Sequence, residues 1–403
     1  MSSATMTGTT ALALSSCLLL AASGVGCGGE PPADLEEAVD TATHELGYHD
    51  SSPHQNPYPN PHPDQNNPRV RKNVKDLTHK ERKTLVKAFH ALKNVPSPYD
   101  PSLSYYDQFV AWHIMLHDCV PGHDHHMQMA HGGPMYLPWH REYVLLLENA
   151  MRDTIGKNVT IPYWDFTDPE STDSTFENDL MGGDGDPGDG YAVKTGPFQK
   201  GKWTLNVNPV GIPYGPSAFE YLTRRFGDGT LGNRLPYPEE VAEALTKPLY
   251  DVAPFSPASD ITQSFRNYLE GFRGGSSMTC VPQPDGTGIM AVTIVDPQNS
   301  AVLHNAVHRW VGGRLPNNAE GQLVFGTMMT PTSPNDPVFF LLHSNIDRIW
   351  AEWQETHGVN SYEPVSGVPH NSVDDVMMPF ADYGITATPA SVADISALGY
   401  SYQ

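Results

Sequence analysis

The amino-acid sequence predicts a mainly α-helical protein whose core is a four-helix bundle, wrapped by long loops and short strands. Apolar residues recur at helical spacing in several separate segments, which is the pattern of helices with one buried face. The 37 prolines among 403 residues favour stiff connections between relatively few regular elements. Residues 156–258 are mostly Gly, Pro, Asp and aromatic residues, and this composition predicts long loops with short strands or turns.

The N-terminal segment predicts export from the cell. Residues 1–26 contain no Asp, Glu, Lys or Arg and include the apolar run ALALSSCLLLAASGVG, which is typical of an export signal and too short for a membrane span. The small residues before Cys27 resemble a bacterial lipoprotein cleavage site. We therefore expect a protein that is secreted, periplasmic or lipid-anchored at a bacterial membrane through Cys27; cleavage nearby without lipidation is the alternative.

The next segment, residues 27–68, is polar and rich in Pro, Asn and His, which predicts a disordered tether. The formal net charge of −22 argues against nucleic acid as a partner. Residues 69–403 remain as the folded part of the chain.

Helical periodicity begins near residue 77, where Thr78 is placed to cap a helix that carries Leu85, Phe89 and Leu92. Four further helices are predicted at about 104–118, 139–155, 303–311 and 337–356, and a shorter one at about 260–272. These four further helices form the predicted bundle core.

Each of those four helices carries histidine within an apolar face. They are His113 and His117 in FVAWHIMLHD, His140 in LPWHREYVLLLENAM, His304 and His308 in LHNAVHRW, and His343 in DPVFFLLHSNIDRIW, while His131 lies nine residues before His140. Burying many imidazoles without partners costs free energy, whereas bundle cores commonly hold metal sites. The chain has no helix-borne Glu-x-x-His pair and no cysteine cluster, and imidazole-only sites suit copper, zinc, iron or nickel. Six imidazoles divided three and three suggest a pair of copper ions that an exogenous ligand such as O2 bridges.

Five motifs then follow in a characteristic order: MYLPWHREYVLLLENAM, IPYWDFT, FRNYLEGFRG, LHNAVHRWVGG and SPNDPVFFLLHSNIDRIWAEW. In this order they resemble the core of tyrosinases and related type 3 copper polyphenol oxidases, over roughly residues 69–403. The resemblance implies two copper ions as cofactor, O2 as co-substrate and a small phenol as substrate.

The resemblance also implies the copper ligands. His113, His131 and His140 match the ligands of the first copper. His304, His308 and His343 match those of the second. His117, one helical turn after His113, is the alternative candidate for the first copper.

Further roles follow from the same resemblance. Hydroxylation requires a phenolate, and phenols ionise near pH 10, so a base must take the phenol proton. Glu270 and Asn305 occupy the positions that orient a water for this purpose. Arg309 lies where relatives contact substrate, and Phe339 where a phenylalanine shields the first copper. Alternatively, Glu270 is a surface carboxylate and Phe339 an ordinary core residue.

One departure is an insertion of about 28 residues, from Gly275 to Val302, where close bacterial relatives run almost directly between the two flanking motifs. It could flank the site entrance. It contains Cys280. In an oxidising compartment Cys280 and Cys119 suggest one disulfide, although relatives that join a cysteine to the second ligand histidine through a thioether offer Cys119 another partner.

The resulting expectation is a dicopper phenol oxidase that uses O2 to hydroxylate monophenols and to oxidise o-diphenols to o-quinones. A catechol or o-aminophenol oxidase without hydroxylase activity shares all six histidines. A haemocyanin-like O2 carrier and a copper-binding lipoprotein are alternatives from other classes. A separate copper-loading helper protein is conceivable.

Overall fold

A computed structural model describes residues 69–119, 130–207, 219–228, 233–272, 277–282, 288–293, 302–317, 321 and 324–403. The predicted export signal, the tether at residues 27–68 and Cys27 lie outside the described residues. Within the described ranges, no helix is long and apolar enough to cross a membrane.

The described residues contain helices and short strands in the following order. The helices are α1 (His79–Asn94), α2 (Tyr105–Met115), α3 (Tyr136–Ile155), α4 (Pro169–Thr175), α5 (Pro238–Leu245), α6 (Phe265–Glu270), α7 (Leu303–Gly312) and α8 (Val338–His357). The strands are β1 (Arg69–Arg71), β2 (Asp118–Cys119), β3 (Gly185–Asp186), β4 (Ala192–Val193), β5 (Ser277–Pro282), β6 (Gly288–Thr293), β7 (Arg314–Leu315), β8 (Val324–Phe325) and β9 (Tyr400–Tyr402).

The predicted helix bundle is confirmed. Helix α3 packs against α1, α2 and α8, and α7 packs against α8, so the histidine-bearing helices surround one buried core. Helix α1 begins as predicted, because the Thr78 side chain accepts a hydrogen bond from the Glu81 backbone and the Glu81 carboxylate accepts one from Thr78. Its buried face includes Leu85, Phe89 and Leu92.

Two short helices in the region predicted as loops and turns, α4 and α5, were not expected. Helix α4 begins at Pro169 and α5 begins at Pro238, and a proline is tolerated at the first position of a helix. Seven or eight residues are too few to show a clear helical period in the sequence.

Helix α6 is shorter than the predicted segment at 260–272, because two specific residues limit it. The Ser264 side chain caps its first turn, and Gly271 ends it with φ +99°. A Cβ at Gly271 would lie 1.9 Å from the Val302 carbonyl oxygen, so only glycine allows α6 to pack this closely on the start of α7.

The inserted segment from 275 to 302 contributes β5 and β6, which pair in antiparallel register, while β2 pairs with the other edge of β6. Cys119 in β2 and Cys280 in β5 therefore belong to one three-stranded sheet. Cys280 forms a disulfide. The side chain of Cys119 lies outside the described residues, so its pairing with Cys280 stays a prediction.

The two ends of the folded part meet in a parallel pair, in which Arg71 of β1 lies opposite Tyr402 of β9. The Arg71 guanidinium donates to Glu148 of α3 at 3.1 Å and to Asp347 of α8 at 3.2 Å, and all three side chains are buried. This pair of strands thereby fixes α3 relative to α8, the helices that carry His140 and His343.

Candidate metal centre

The six histidines predicted as copper ligands form two groups of three. The ligand atoms of His113, His131 and His140 all lie within 4.8 Å of one another, and so do those of His304, His308 and His343. Within the described residues, these are the groups of histidine, cysteine, aspartate or glutamate that are arranged to hold a metal ion. We call them the first and second triads.

Helix geometry explains most of this convergence. His113 lies in the last turn of α2, and His140 lies in the second turn of α3. His304 and His308 are separated by one turn of α7, so their rings project from one face and their centroids are 4.5 Å apart. Helix α8 supplies His343.

The two triads adjoin each other across the α3–α8 contact. The ring of His140 stacks on that of His343 with a centroid distance of 4.0 Å and an interplanar angle of 9°. In the second triad, Nε2 of His304 lies 3.3 Å from Nε2 of His343. Two nitrogens at about 2.0 Å from one ion, in tetrahedral arrangement, are separated by about 3.3 Å, so this spacing fits a shared metal.

Backbone carbonyls orient several of these rings. The Nδ1 of His113 bonds to the Pro331 carbonyl at 2.7 Å, that of His140 to the Tyr136 carbonyl at 2.8 Å and that of His308 to the Met328 carbonyl at 2.6 Å. The Nε2 atoms of these three histidines are buried and have no hydrogen-bond partner among the described residues. Metal-binding histidines commonly hold one nitrogen in this way and offer the other to the ion.

Burial keeps the six imidazoles neutral near pH 7, as metal ligation requires. It lowers the pKa of His140 to about 3 and that of His308 to about 4, and it lowers the pKa of the other four as well. Uncharged nitrogen donors with unpartnered lone pairs at the core of a bundle fit copper.

His117, the alternative ligand, lies beside the first triad. Its Nδ1 bonds to the His113 carbonyl at 3.0 Å, and its ring centroid is 4.9 Å from that of His113 and 4.7 Å from that of His131. Burial lowers its pKa to about 4. It packs against the first triad, whereas the ligand-atom geometry selects His113, His131 and His140.

Phe339 contacts one histidine of each triad, and its role as the residue that shields the first copper stays a prediction. Its ring centroid is 4.1 Å from that of His343 and 5.1 Å from that of His113.

Arg309 is half-buried on α7, and burial lowers its pKa while the charge of Asp228 opposes that effect.

Glu270 is fully buried, which excludes the surface-carboxylate alternative. Its carboxylate accepts a hydrogen bond from the backbone N–H of Gly132 at 2.6 Å and another from Nη1 of Arg266 at 3.1 Å. Burial raises its pKa to about 7, although Arg266 and Gly132 oppose the rise. Asn305, the other member of the predicted pair, is held by its own neighbour, because its Oδ1 bonds to Nδ1 of His304 at 3.1 Å.

Sequence reasoning missed one residue at the centre, Tyr136. Its ring centroid lies 5.0 Å from that of His140 and 5.1 Å from that of His304, so it contacts both triads. The available signal was its position four residues before His140, on the same face of α3. The carbonyls that orient His113 and His308 come from distant loops and had no signal in the sequence.

The chain is similar over most of its length to proteins of one family. Residues 103–356 match the common central domain of tyrosinase. The chain is 33% identical to the tyrosinase of Streptomyces lincolnensis over 329 residues, which cover 81% of this chain and 96% of that protein. It is 35% identical to the grixazone synthase of Streptomyces griseus over 343 residues, which cover 81% and 96% of the respective chains. A solved polyphenol oxidase from Thermothelomyces thermophila has the same fold, with a TM-score of 0.57 at 22% identity over 91% of this chain and 94% of that one.

Proposed function

This chain belongs to the tyrosinase family of dicopper phenol oxidases, and we propose that it uses O2 both to hydroxylate monophenols and to oxidise o-diphenols to o-quinones. The observation that carries this proposal is the pair of adjoining triads, each built from three neutral imidazoles of which two are buried and one is half-buried. When bound, the two copper ions supply the electron transfer to O2 that phenol oxidation requires.

The chain's own residues would hold and enclose these ions. His113, His131 and His140 would bind one copper ion, and His304, His308 and His343 the other. Phe339 packs against His113 and His343 and would restrict the access of water to the ions.

Proton removal from a monophenol is assigned to Glu270. It lies beside the first triad, because its carboxylate accepts a hydrogen bond from the N–H of Gly132, the residue directly after His131. The side chain of Asn305 bonds to the His304 ring. Together with Glu270 it would orient a water that carries the proton from the phenol to the Glu270 carboxylate. Arg309 would contact polar groups of the substrate at the outer end of α7.

The test compares a monophenol with its matching o-diphenol, using copper-loaded protein under air. We expect turnover of both by the wild type and a selective loss of monophenol turnover, of at least about 100-fold, in Glu270→Gln, since a positioned base typically contributes that much. Glu352→Gln, on the exposed side of α8, is the control and should match the wild type. Diphenol turnover alone in the wild type would indicate a catechol-type oxidase, and no turnover of either phenol would contradict the proposal.

We further propose that the protein is exported and acts outside the cytoplasm, either free or lipid-anchored at Cys27. The uncharged apolar segment at residues 1–26 supports this proposal. Expression in a bacterium followed by fractionation tests this proposal. Wild type in the membrane fraction and Cys27→Ser in the soluble exported fraction would support an anchor. Retention of both in the cytoplasm would contradict export.

A separate copper-loading helper protein is a further proposal. It requires that the purified apoprotein load copper slowly on its own.

A further inference from the structure

One histidine of the first triad lacks the hydrogen bond that orients the other two. His113 and His140 each bond through Nδ1 to a backbone carbonyl, whereas Nδ1 of His131 is buried and has no partner among the described residues. His131 also lies in the loop before α3, so no helix fixes its backbone. A ligand in this situation needs an anchor, because the group that holds the outer nitrogen sets both ring orientation and metal affinity.

A second buried polar atom without a partner lies close by. The hydroxyl of Tyr136 makes no hydrogen bond within the described part of the chain, and the residue is fully buried. Its ring centroid is 6.2 Å from that of His131. A buried hydroxyl normally finds a partner, either in the protein or in an ordered water, so this atom calls for an explanation.

Glu270 places these two atoms in one polar neighbourhood. Its carboxylate binds the N–H of Gly132, the residue directly after His131. The charge of Glu270 also acts on Tyr136, whose pKa burial raises first and Glu270 raises further. Within the described ranges, each carboxylate oxygen accepts one hydrogen bond, from Gly132 or from Arg266, and has a second lone pair for another.

We propose that one internal water molecule joins Tyr136, His131 and Glu270, which makes Tyr136 a positioning residue for the first copper site. The hydroxyl of Tyr136 and Nδ1–H of His131 donate to the water, and the water donates to the Glu270 carboxylate. This arrangement satisfies both unpartnered atoms with a single molecule, within the two to four hydrogen bonds that a buried water makes. It also fixes the His131 tautomer, so that Nε2 faces the ion.

The inference rests on the proposed copper site and predicts how tightly one of the two ions is held. Tyr136→Phe keeps the ring that packs between the triads and removes only the hydroxyl. With both copper ions loaded, we expect a chelator to remove one equivalent about 10-fold faster from Tyr136→Phe than from the wild type, the lower end of the effect of losing such an anchor. The second equivalent should leave at the wild-type rate, because Tyr136→Phe leaves the Nδ1 contacts of His304 and His308 in place.

Tyr143→Phe is the matched control. Tyr143 is on the same helix and equally buried, but its hydroxyl already donates to the Phe109 carbonyl at 2.5 Å. We expect Tyr143→Phe to lower the melting temperature of the metal-free protein and to release copper at the wild-type rate. Tyr136→Phe removes the bond to the proposed water and should lower that melting temperature to a similar extent, so the two variants differ in copper release alone. Equal copper release from Tyr136→Phe and the wild type would overturn the inference and leave the proposed function intact.

A second measurement does not depend on copper. A crystal structure of the metal-free wild type should show a water within about 3.2 Å of the Tyr136 hydroxyl, Nδ1 of His131 and a Glu270 oxygen, and Tyr136→Phe should lose or displace it. A wild-type structure without a water between these three groups would overturn the inference. Failure of the wild type to bind copper would instead overturn the proposed function, while this crystallographic result would still decide the inference.

Discussion

Replacing Asp347 by asparagine should strongly destabilise the fold, because this carboxylate connects the helices that carry His140 and His343. It accepts hydrogen bonds from Nε of Arg141 at 2.5 Å, from Nη1 of Arg71 at 3.2 Å and from the Tyr400 and Tyr402 hydroxyls at 2.6 Å each. The group is buried, and Arg141 and Arg71 have no exposed side-chain surface.

The magnitude follows from this burial. Asparagine has one acceptor oxygen and no charge, so two buried guanidinium groups would lose a counter-charge and some donors would face an NH2 group. Removing one partner of a buried ion pair typically costs about 3–5 kcal/mol, and we expect Asp347→Asn to lower the free energy of unfolding by that amount.

Urea unfolding of the metal-free protein at pH 7 measures this loss. Asp374→Asn is the control, because Asp374 is exposed and the change should stay within about 0.5 kcal/mol. A loss below about 1 kcal/mol in Asp347→Asn would refute the view that this carboxylate holds the two ligand helices together.

The same ion pairs predict a pH dependence. Burial raises the pKa of Asp347, but the charges of Arg141 and Arg71 outweigh it, so the pKa in the folded protein is below its ordinary value. Such a carboxylate stabilises the fold above its unfolded pKa, about 3.9, and this contribution is lost as the pH falls through the folded pKa. The stability difference between the wild type and Asp347→Asn should therefore be constant near pH 7 and shrink below about pH 4.

Two further substitutions test the site. His308→Ala should lower the bound copper from two equivalents to about one, whereas His117→Ala should keep two, because only His308 belongs to a triad. Metal analysis after dialysis measures the bound copper. Equal loss in both variants would make His117 a ligand. Arg309→Ala should raise the KM for a phenol that bears a carboxylate by about 10-fold, the effect of a charge-assisted hydrogen bond, and leave the KM for a neutral phenol unchanged. Parallel increases in both KM values would indicate that Arg309 supports the fold alone.

The sequence was sufficient to predict the bundle and the grouping of the six histidines, for a physical reason. Helical periodicity and the i, i+4 spacing of His304 and His308 are local features of the sequence, and the structure shows both histidines on one helix, one turn apart. The resemblance to tyrosinases supplied the partners that local spacing cannot, such as His131 in its loop.

The features that could not be predicted depend on contacts between distant residues. The Pro331 carbonyl orients His113 across 218 positions of the chain, and Arg71 reaches Asp347 across 276. Helices α4 and α5 were missed because they are short and begin at prolines. The unpartnered hydroxyl of Tyr136 has no counterpart in any sequence pattern, since only the packed core shows which polar atoms lack a partner.

Copper stoichiometry measured together with O2 uptake tests the central claim most directly. The account predicts that apoprotein dialysed against copper binds two equivalents per chain and consumes O2 when an o-diphenol is added. It predicts that His113→Ala and His343→Ala each retain at most about one equivalent and consume no O2, because both triads are required. Full copper binding or continued O2 uptake in either variant would contradict the assignment of these six histidines as a dicopper centre.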